Sequence, residues 1–306
     1  MSTKRIHLYL LLLLVLGIGQ PLQAQVTDGI LSSGGIARTY HAYVPKGYDP
    51  QQKYPLVLLL HGRLGTGSKF LGYTGIRRLA DREGFVVVAP DGYRKSWNDG
   101  RLRTPAHEAE VDDVKFLGSL LDRMCSAYRI DPAKIYCVGM SNGGFMTLTL
   151  ATQMPNRLAA IGVIVASATE GHADRSIPKT ILPMIVMNGT EDPLIKWNGG
   201  PISVRDQEKV MATPEFLRLY TQQGDCDVVI TLPMADTVDD GTATILHFWQ
   251  DCSNAAEVQL WEVKGGGHTL PGKKQYLGEK LIGRTSRDYD GMEAIWSFLK
   301  RFSVQN

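Results

Sequence analysis

Neither sign of charge is in excess in this chain. Its 306 residues carry 33 Lys and Arg against 31 Asp and Glu. That balance argues against a nucleic-acid or anionic-membrane partner, either of which calls for a basic surface. Cysteine is scarce: there are four, and none has the paired spacing of a zinc site. Internal repeats and low-complexity tracts are missing. Beyond the N-terminus no apolar run approaches the about 20 residues that cross a bilayer. What remains is a globular domain with a neutral surface.

The one long apolar run opens the chain. Lys4 and Arg5 precede an apolar stretch from Leu8 to Ile18, and Pro21 and Leu22-Gln23-Ala24 follow. A basic start, a short apolar centre and a small terminal residue predict a secretory signal peptide over residues 1–24, cut after Ala24. No cysteine follows to anchor a lipoprotein. Residues 25–306 are then one domain of 282 residues (306 − 24), with 31 basic and 31 acidic side chains once Lys4 and Arg5 are removed from the 33. The expected location is extracellular or periplasmic, with no stable membrane association after cleavage. Such a compartment is oxidising. Cys226 and Cys252 flank a predicted hairpin that turns at Asp239-Asp240-Gly241. A bridge there would close a loop of roughly 27 residues and contribute about 3–4 kcal/mol on the chain-entropy model. Cys137 is expected as a buried thiol and Cys125 near a helix end, both unbridged.

Along the chain, strands alternate with helices. Continuous apolar runs at 54–62, 85–92, 134–139, 159–167 and 183–189 read as strands buried on both faces. A loop and then a helix are expected over 68–83, helices at 110–128, 143–154, 213–223 and 291–302, and a last strand at 257–263. The alternation predicts an α/β fold with a mostly parallel sheet and helices on both faces. Ligands and catalysis in such sheets lie beyond the carboxyl ends of the strands, so the polar residues just after each strand matter most.

One of those positions carries Gly139-Met140-Ser141-Asn142-Gly143, a G-x-S-x-G pattern between a strand and a helix. Two glycines permit a tight turn that lifts Ser141 clear of the sheet, and the helix N-terminus aims free N–H groups at the same spot. A serine hydroxyl needs a base to take its proton, and in this arrangement the order is Ser, acid, His. His268, in the glycine-rich loop after the last strand, fits the base. His247 falls inside a strand, and His172 comes before the acid strand. The acid should follow strand 183–189, where Asp192 is preferred over Glu191; its task is to orient His268. A tetrahedral oxyanion also needs backbone donors. The N–H of Asn142 is one. Arg63 is the first choice for the other, with Leu64 as the alternative, in the loop opened by His61, whose ring is expected to be tied to backbone. Trp97 and Trp197, on loops beyond strand ends, would either wall a pocket for an apolar acyl group or pack locally. Asp112 and Asp113 suit capping or ion pairing at a helix start.

These residues, with "LHGRLGTG", "PDGYRKSWNDGR", "VDDVKFL", "RIDPAKIYCVGMSNGGFM", "MNGTEDPLIKWNGG" and "VKGGGHTLPG" in that order, resemble the secreted polyhydroxybutyrate depolymerase and feruloyl esterase group of α/β-hydrolases. The resemblance runs from about residue 35 to the C-terminal helix. It implies an α/β-hydrolase fold and a serine esterase with Ser141, Asp192 and His268 as triad. It also implies Arg63 and Asn142 as oxyanion donors, and it supports the Cys226–Cys252 bridge. Relatives often carry Cys where Arg63 stands; a backbone donor survives that change. The chemistry implied needs no cofactor and no metal, and its substrate is a feruloyl, acetyl-xylan or hydroxyalkanoate ester, small or polymeric. A serine peptidase on the same fold, or a non-catalytic binding protein on a hydrolase scaffold, are the alternatives; the second commonly lacks a triad member, and here all three candidates are present.

Overall fold

A computed structural model describes residues 25–170, 177–202 and 208–304. The expected signal peptide and His172 lie outside the described residues.

The strands are β1 (Gln25–Ser33), β2 (Ile36–Val44), β3 (Tyr54–Leu60), β4 (Val86–Pro90), β5 (Ile130–Met140), β6 (Ala160–Ile164), β7 (Met184–Gly189), β8 (Gly200–Pro201), β9 (Lys209–Val210), β10 (Val228–Pro233), β11 (Ala243–Gln250) and β12 (Val258–Lys264). The helices are α1 (Gly67–Tyr73), α2 (Ile76–Glu83), α3 (Pro105–Glu108), α4 (Asp113–Ala127), α5 (Asn142–Gln153), α6 (Thr213–Gln223), α7 (Glu279–Ile282) and α8 (Gly291–Leu299). Ten strands form one sheet in the order β1-β2-β4-β3-β5-β6-β7-β12-β11-β10, and β8 pairs with β9 alone. The run β4-β3-β5-β6-β7-β12 is parallel throughout. Antiparallel strands extend it at both ends, β1 and β2 on one side, β11 and β10 on the other.

The parallel strands are the apolar runs of the sequence because both of their faces are covered. In β3, Leu56, Leu58 and Leu60 pack into the cluster that holds Phe116 of α4, Phe145 of α5 and Phe216 of α6. Val57 and Leu59 point the other way, toward Phe70 of α1, Leu79 of α2 and Ile295 and Trp296 of α8. The sheet is thus sandwiched as the alternation predicts. Helix starts carry the expected caps: Asp112 accepts the N–H of Lys115 at the head of α4, and Asp290 those of Met292 and Glu293 at the head of α8.

The sequence reading misses β1, which is largely exposed, pairs along its length with β2 and packs Leu31 against the core. It also reads 68–83 as a loop and then a helix, where α1 already starts at Gly67 and Gly75 at φ 68° separates it from α2. The hairpin forms as β10 and β11, and Cys226 is bonded to Cys252 beside it. Cys125 and Cys137 are free thiols. Burial pushes the Cys137 thiol up to about 12, so it stays protonated and packs as a small apolar group.

Candidate active site

The carboxyl ends of the parallel strands deliver the loops that matter. β5 runs into Ser141 and α5 starts at the next residue. Ser141 has φ 55° and ψ −122°, a left-handed conformation that costs a non-glycine residue energy and is held by its surroundings. Two close approaches explain the glycines around it. A methyl on Gly139 would stand 2.0 Å from the Gly143 carbonyl oxygen, and one on Gly143 would stand 2.2 Å from that of Leu60. The turn is thereby pressed against the end of β3. The Ser141 N–H donates to the Ile164 carbonyl of β6, and the Ser141 carbonyl accepts from Phe145 as α5 begins. The first N–H groups of α5, Asn142 among them, have no acceptor inside the helix.

The loop after β3 passes directly over this turn. A Cβ on Gly62 would lie 3.3 Å from Ser141 Cβ and 3.9 Å from its Oγ. Within that loop the Leu64 N–H donates to the Lys95 carbonyl at 2.9 Å and the Gly65 N–H to the Gly62 carbonyl at 3.0 Å. Leu64 is therefore committed elsewhere, and Arg63 keeps an uncommitted backbone N–H among the described residues. His61 is buried with both ring nitrogens engaged: Nδ1 donates to the Gly62 carbonyl at 2.7 Å, and Nε2 accepts the Gly92 N–H at 3.0 Å. Burial holds its pKa below the ordinary histidine value, so the ring is neutral.

Asp192 and His268 meet across the ends of β7 and β12. Nδ1 of His268 lies 2.7 Å from Asp192 Oδ2, and the side chains are 4% and 1% exposed. The other carboxylate oxygen accepts the backbone N–H groups of Leu194 and Ile195, both at 2.8 Å. A carboxylate so placed fixes the proton on Nδ1 and leaves Nε2 as the ring's free lone pair. Glu191 points to solvent, its nearest cation Arg284 at 3.9 Å. His268 and Ser141 are not hydrogen-bonded to each other in this structure; they stand at the ends of β12 and β5, with β7 and β6 between. His247 lies away from these loops on β11, between Glu262 (2.7 Å) and Thr231 (3.2 Å).

Of the two readings left open for Trp97, the structure favours local packing over a pocket wall. Its side chain is fully buried, and its indole N–H donates to the His61 carbonyl at 2.8 Å. An indole N–H that finds a backbone acceptor is paired off from solvent and from ligand alike. Trp197 is half-buried and packs on the core, while its carbonyl accepts the Thr213 N–H. The sequence reading also missed Asp99 and Arg101, both buried and paired, with Nη2 to Oδ2 at 2.5 Å. Asp99 Oδ2 accepts from Asn142 Nδ2 at 2.6 Å. The run "SWNDGR" carried the signal, since a charged pair inside an apolar setting needs a polar partner to hold. Exposed leucines lie in the loops: Leu64 next to Arg63 and Leu194 two residues after Asp192.

A parallel sheet ending in a serine turn, an acid loop and a histidine loop, in that chain order, is the frame of an α/β-hydrolase. The chain belongs to the Esterase PHB depolymerase family, whose model matches residues 38–199. The match includes Ser141 and Asp192 and stops before His268. NocK of Nocardia uniformis subsp. tsuyamanensis, which bears an esterase's name, is 25% identical over 278 residues, covering 87% of this chain and 80% of that one. Feruloyl esterase B of Piromyces equi is 23% identical over 268 residues, covering 85% of this chain and 44% of that one. Among solved structures, a thermostable esterase superposes with a TM-score of 0.56 at 18% identity, covering 91% of this chain and 63% of that one. The chain thus spans less than two thirds of the length of the last two.

Proposed function

We propose that residues 25–306 form one exported serine carboxylesterase domain in which Ser141 is the nucleophile, His268 the base and Asp192 the residue that orients it. The observation that carries this is the buried Asp192–His268 bond of 2.7 Å, set at the same edge of the sheet as the strained Ser141 turn. Nε2 of His268 takes the Ser141 proton as Oγ attacks the ester carbonyl. The tetrahedral oxyanion forms against the N–H groups of Arg63 and Asn142. Collapse releases the alcohol, which receives the proton from His268, and leaves the acyl group on Oγ. Water, deprotonated by Nε2, then attacks the acyl carbon and frees the acid. No cofactor enters these steps.

The substrate reading follows from the surface beside the donors. Leu64 is 77% exposed next to Arg63, and Leu194, two residues after Asp192, is 41% exposed. Apolar side chains in those places favour an ester with an apolar or aromatic acyl group, such as a feruloyl or hydroxyalkanoate ester, over a small acetyl group. The family and the Piromyces feruloyl esterase support the broader class of feruloyl, acetylxylan or hydroxyalkanoate esters, and the exposed leucines carry the choice within it.

The test is labelling of the purified protein with a fluorophosphonate alongside Ser141→Ala. Labelling confined to the unmutated protein, with a turnover loss of about a thousandfold or more in the variant, is expected. A folded Ser141→Ala protein that keeps its esterase activity would overturn the assignment.

A further inference from the structure

The two backbone donors assigned to the oxyanion come from segments far apart in sequence, the loop after β3 and the first residue of α5. Their relative position must be held to a fraction of an ångström for the hole to work. One residue grips both. The indole N–H of Trp97 donates to the carbonyl of His61, two residues before Arg63. The main chain of Trp97 grips the side chain of Asn142 at both ends: its N–H donates to Oδ1 at 2.8 Å and its carbonyl accepts from Nδ2 at 3.1 Å. Asn142 and Trp97 are both buried, so these bonds are made out of competition with water.

The loop that carries Trp97 is itself braced. Asp99 takes a second bond from Asn142 Nδ2 and is clasped by Arg101 through Nε at 2.9 Å and Nη2 at 2.5 Å. The Arg101 guanidinium lies 3.8 Å over the Phe145 ring of α5. Asp113 accepts the Asn98 N–H at 2.7 Å. Upstream, the Gly92 N–H donates to His61 Nε2 and the Lys95 carbonyl accepts the Leu64 N–H. The segment from Gly92 to Arg101 therefore touches both halves of the hole and makes no use of solvent to do so.

The geometry points to Trp97 as a positioning residue that sets the distance between the Arg63 and Asn142 N–H groups. This rests on the ester-hydrolase reading above and says which part of the chain makes that site rigid. Trp97 does not touch the reacting atoms; it acts through His61 and Asn142.

The experiment compares Trp97→Phe, which keeps an aromatic ring and removes the N–H, with Asn142→Ala, which keeps the backbone donor and removes the side chain that Trp97 grips. The readouts are kcat and KM for p-nitrophenyl butyrate and the inhibition constant of phenylboronic acid, whose tetrahedral adduct mimics the transition state. With one donor displaced rather than deleted, each variant should lose about ten- to a hundredfold in kcat, and the boronate constant should rise by a similar factor. KM should stay within about twofold, because the ester ground state leans less on the hole. Trp249→Phe, on β11, is the control and should leave all three unchanged. A folded Trp97→Phe with wild-type kcat and boronate affinity overturns the proposal. If Trp97→Phe does not fold, Asn142→Ala decides alone, and unchanged constants there overturn it equally. A fall in kcat with boronate affinity intact also overturns it, since the hole would then be whole. Activity that survives Ser141→Ala would instead remove the underlying reading, and this inference with it.

Discussion

Two loops at the carboxyl edge of the sheet, one after β3 and one after β12, each carry a buried histidine, and the rings are used in opposite ways. His61 spends both nitrogens on backbone, donating to Gly62 and accepting from Gly92. His268 spends one, on the Asp192 carboxylate, and keeps the other. Both rings are buried, and the partners decide what each can do. A carboxylate stabilises the imidazolium that appears when a proton is taken up, whereas a backbone N–H on Nε2 blocks that uptake. The first histidine is a structural strut and the second is the proposed base.

Substitutions can break that contrast at points of decreasing weight. His268→Ala should remove about as much turnover as Ser141→Ala, on the order of a thousandfold or more, and the double variant should lose little beyond either single one. Steady-state rates on p-nitrophenyl butyrate measure this directly. Asp192→Asn keeps the shape and removes the charge, so the His268 tautomer is no longer fixed; kcat should fall about a thousandfold, with fluorophosphonate labelling slowed in parallel. His61→Gln should act mainly on stability. It leaves the buried Gly92 N–H and Gly62 carbonyl poorly matched, at a cost of about 1–3 kcal/mol, with turnover down less than about tenfold.

The sign of the pH effect at His61 follows from its lowered pKa. A histidine that resists protonation when folded contributes its full stabilisation above the unfolded value of about 6.5, and the contribution drains away as the pH falls through the folded value. The melting-temperature gap between wild type and His61→Gln should therefore be widest at pH 8 and close as the pH is lowered toward 4. A gap that widens on acidification would mean that the ring is charged in the native protein. The smallest effect belongs to His247, paired with Glu262 on the antiparallel side of the sheet: His247→Gln should leave kcat within about twofold.

The strands of the parallel core were legible because burial on both faces writes them as unbroken apolar runs, and the serine turn because close packing demands glycine on both sides of it. β1 was not legible. Its residues QVTDGILSS are mostly exposed, so neither face leaves a hydrophobic period, and its place is set by the ladder to β2. The choice of Asp192 over Glu191 was made on sequence, and the structure sets Asp192 against His268 and Glu191 in solvent. Between Arg63 and Leu64 the sequence held no decisive signal, because the answer is a carbonyl 31 positions on, at Lys95 (95 − 64), that occupies the Leu64 N–H. Trp97 was left open between pocket wall and local packing for a related reason. Loop position and aromatic character suggested a pocket wall, but the acceptor that buries its indole belongs to another strand's end.

β12 is late in the chain yet interior in the sheet, lying between β7 and β11. The serine turn is local, built by β5 and the helix that follows it at once. The acid–base pair, by contrast, is closed across 76 residues. Contacts of such separation form late, since loop closure must precede them. On the proposed triad the nucleophile is thus shaped before it has a base, and turnover should be a clock that starts only when the last interior strand has been laid in place.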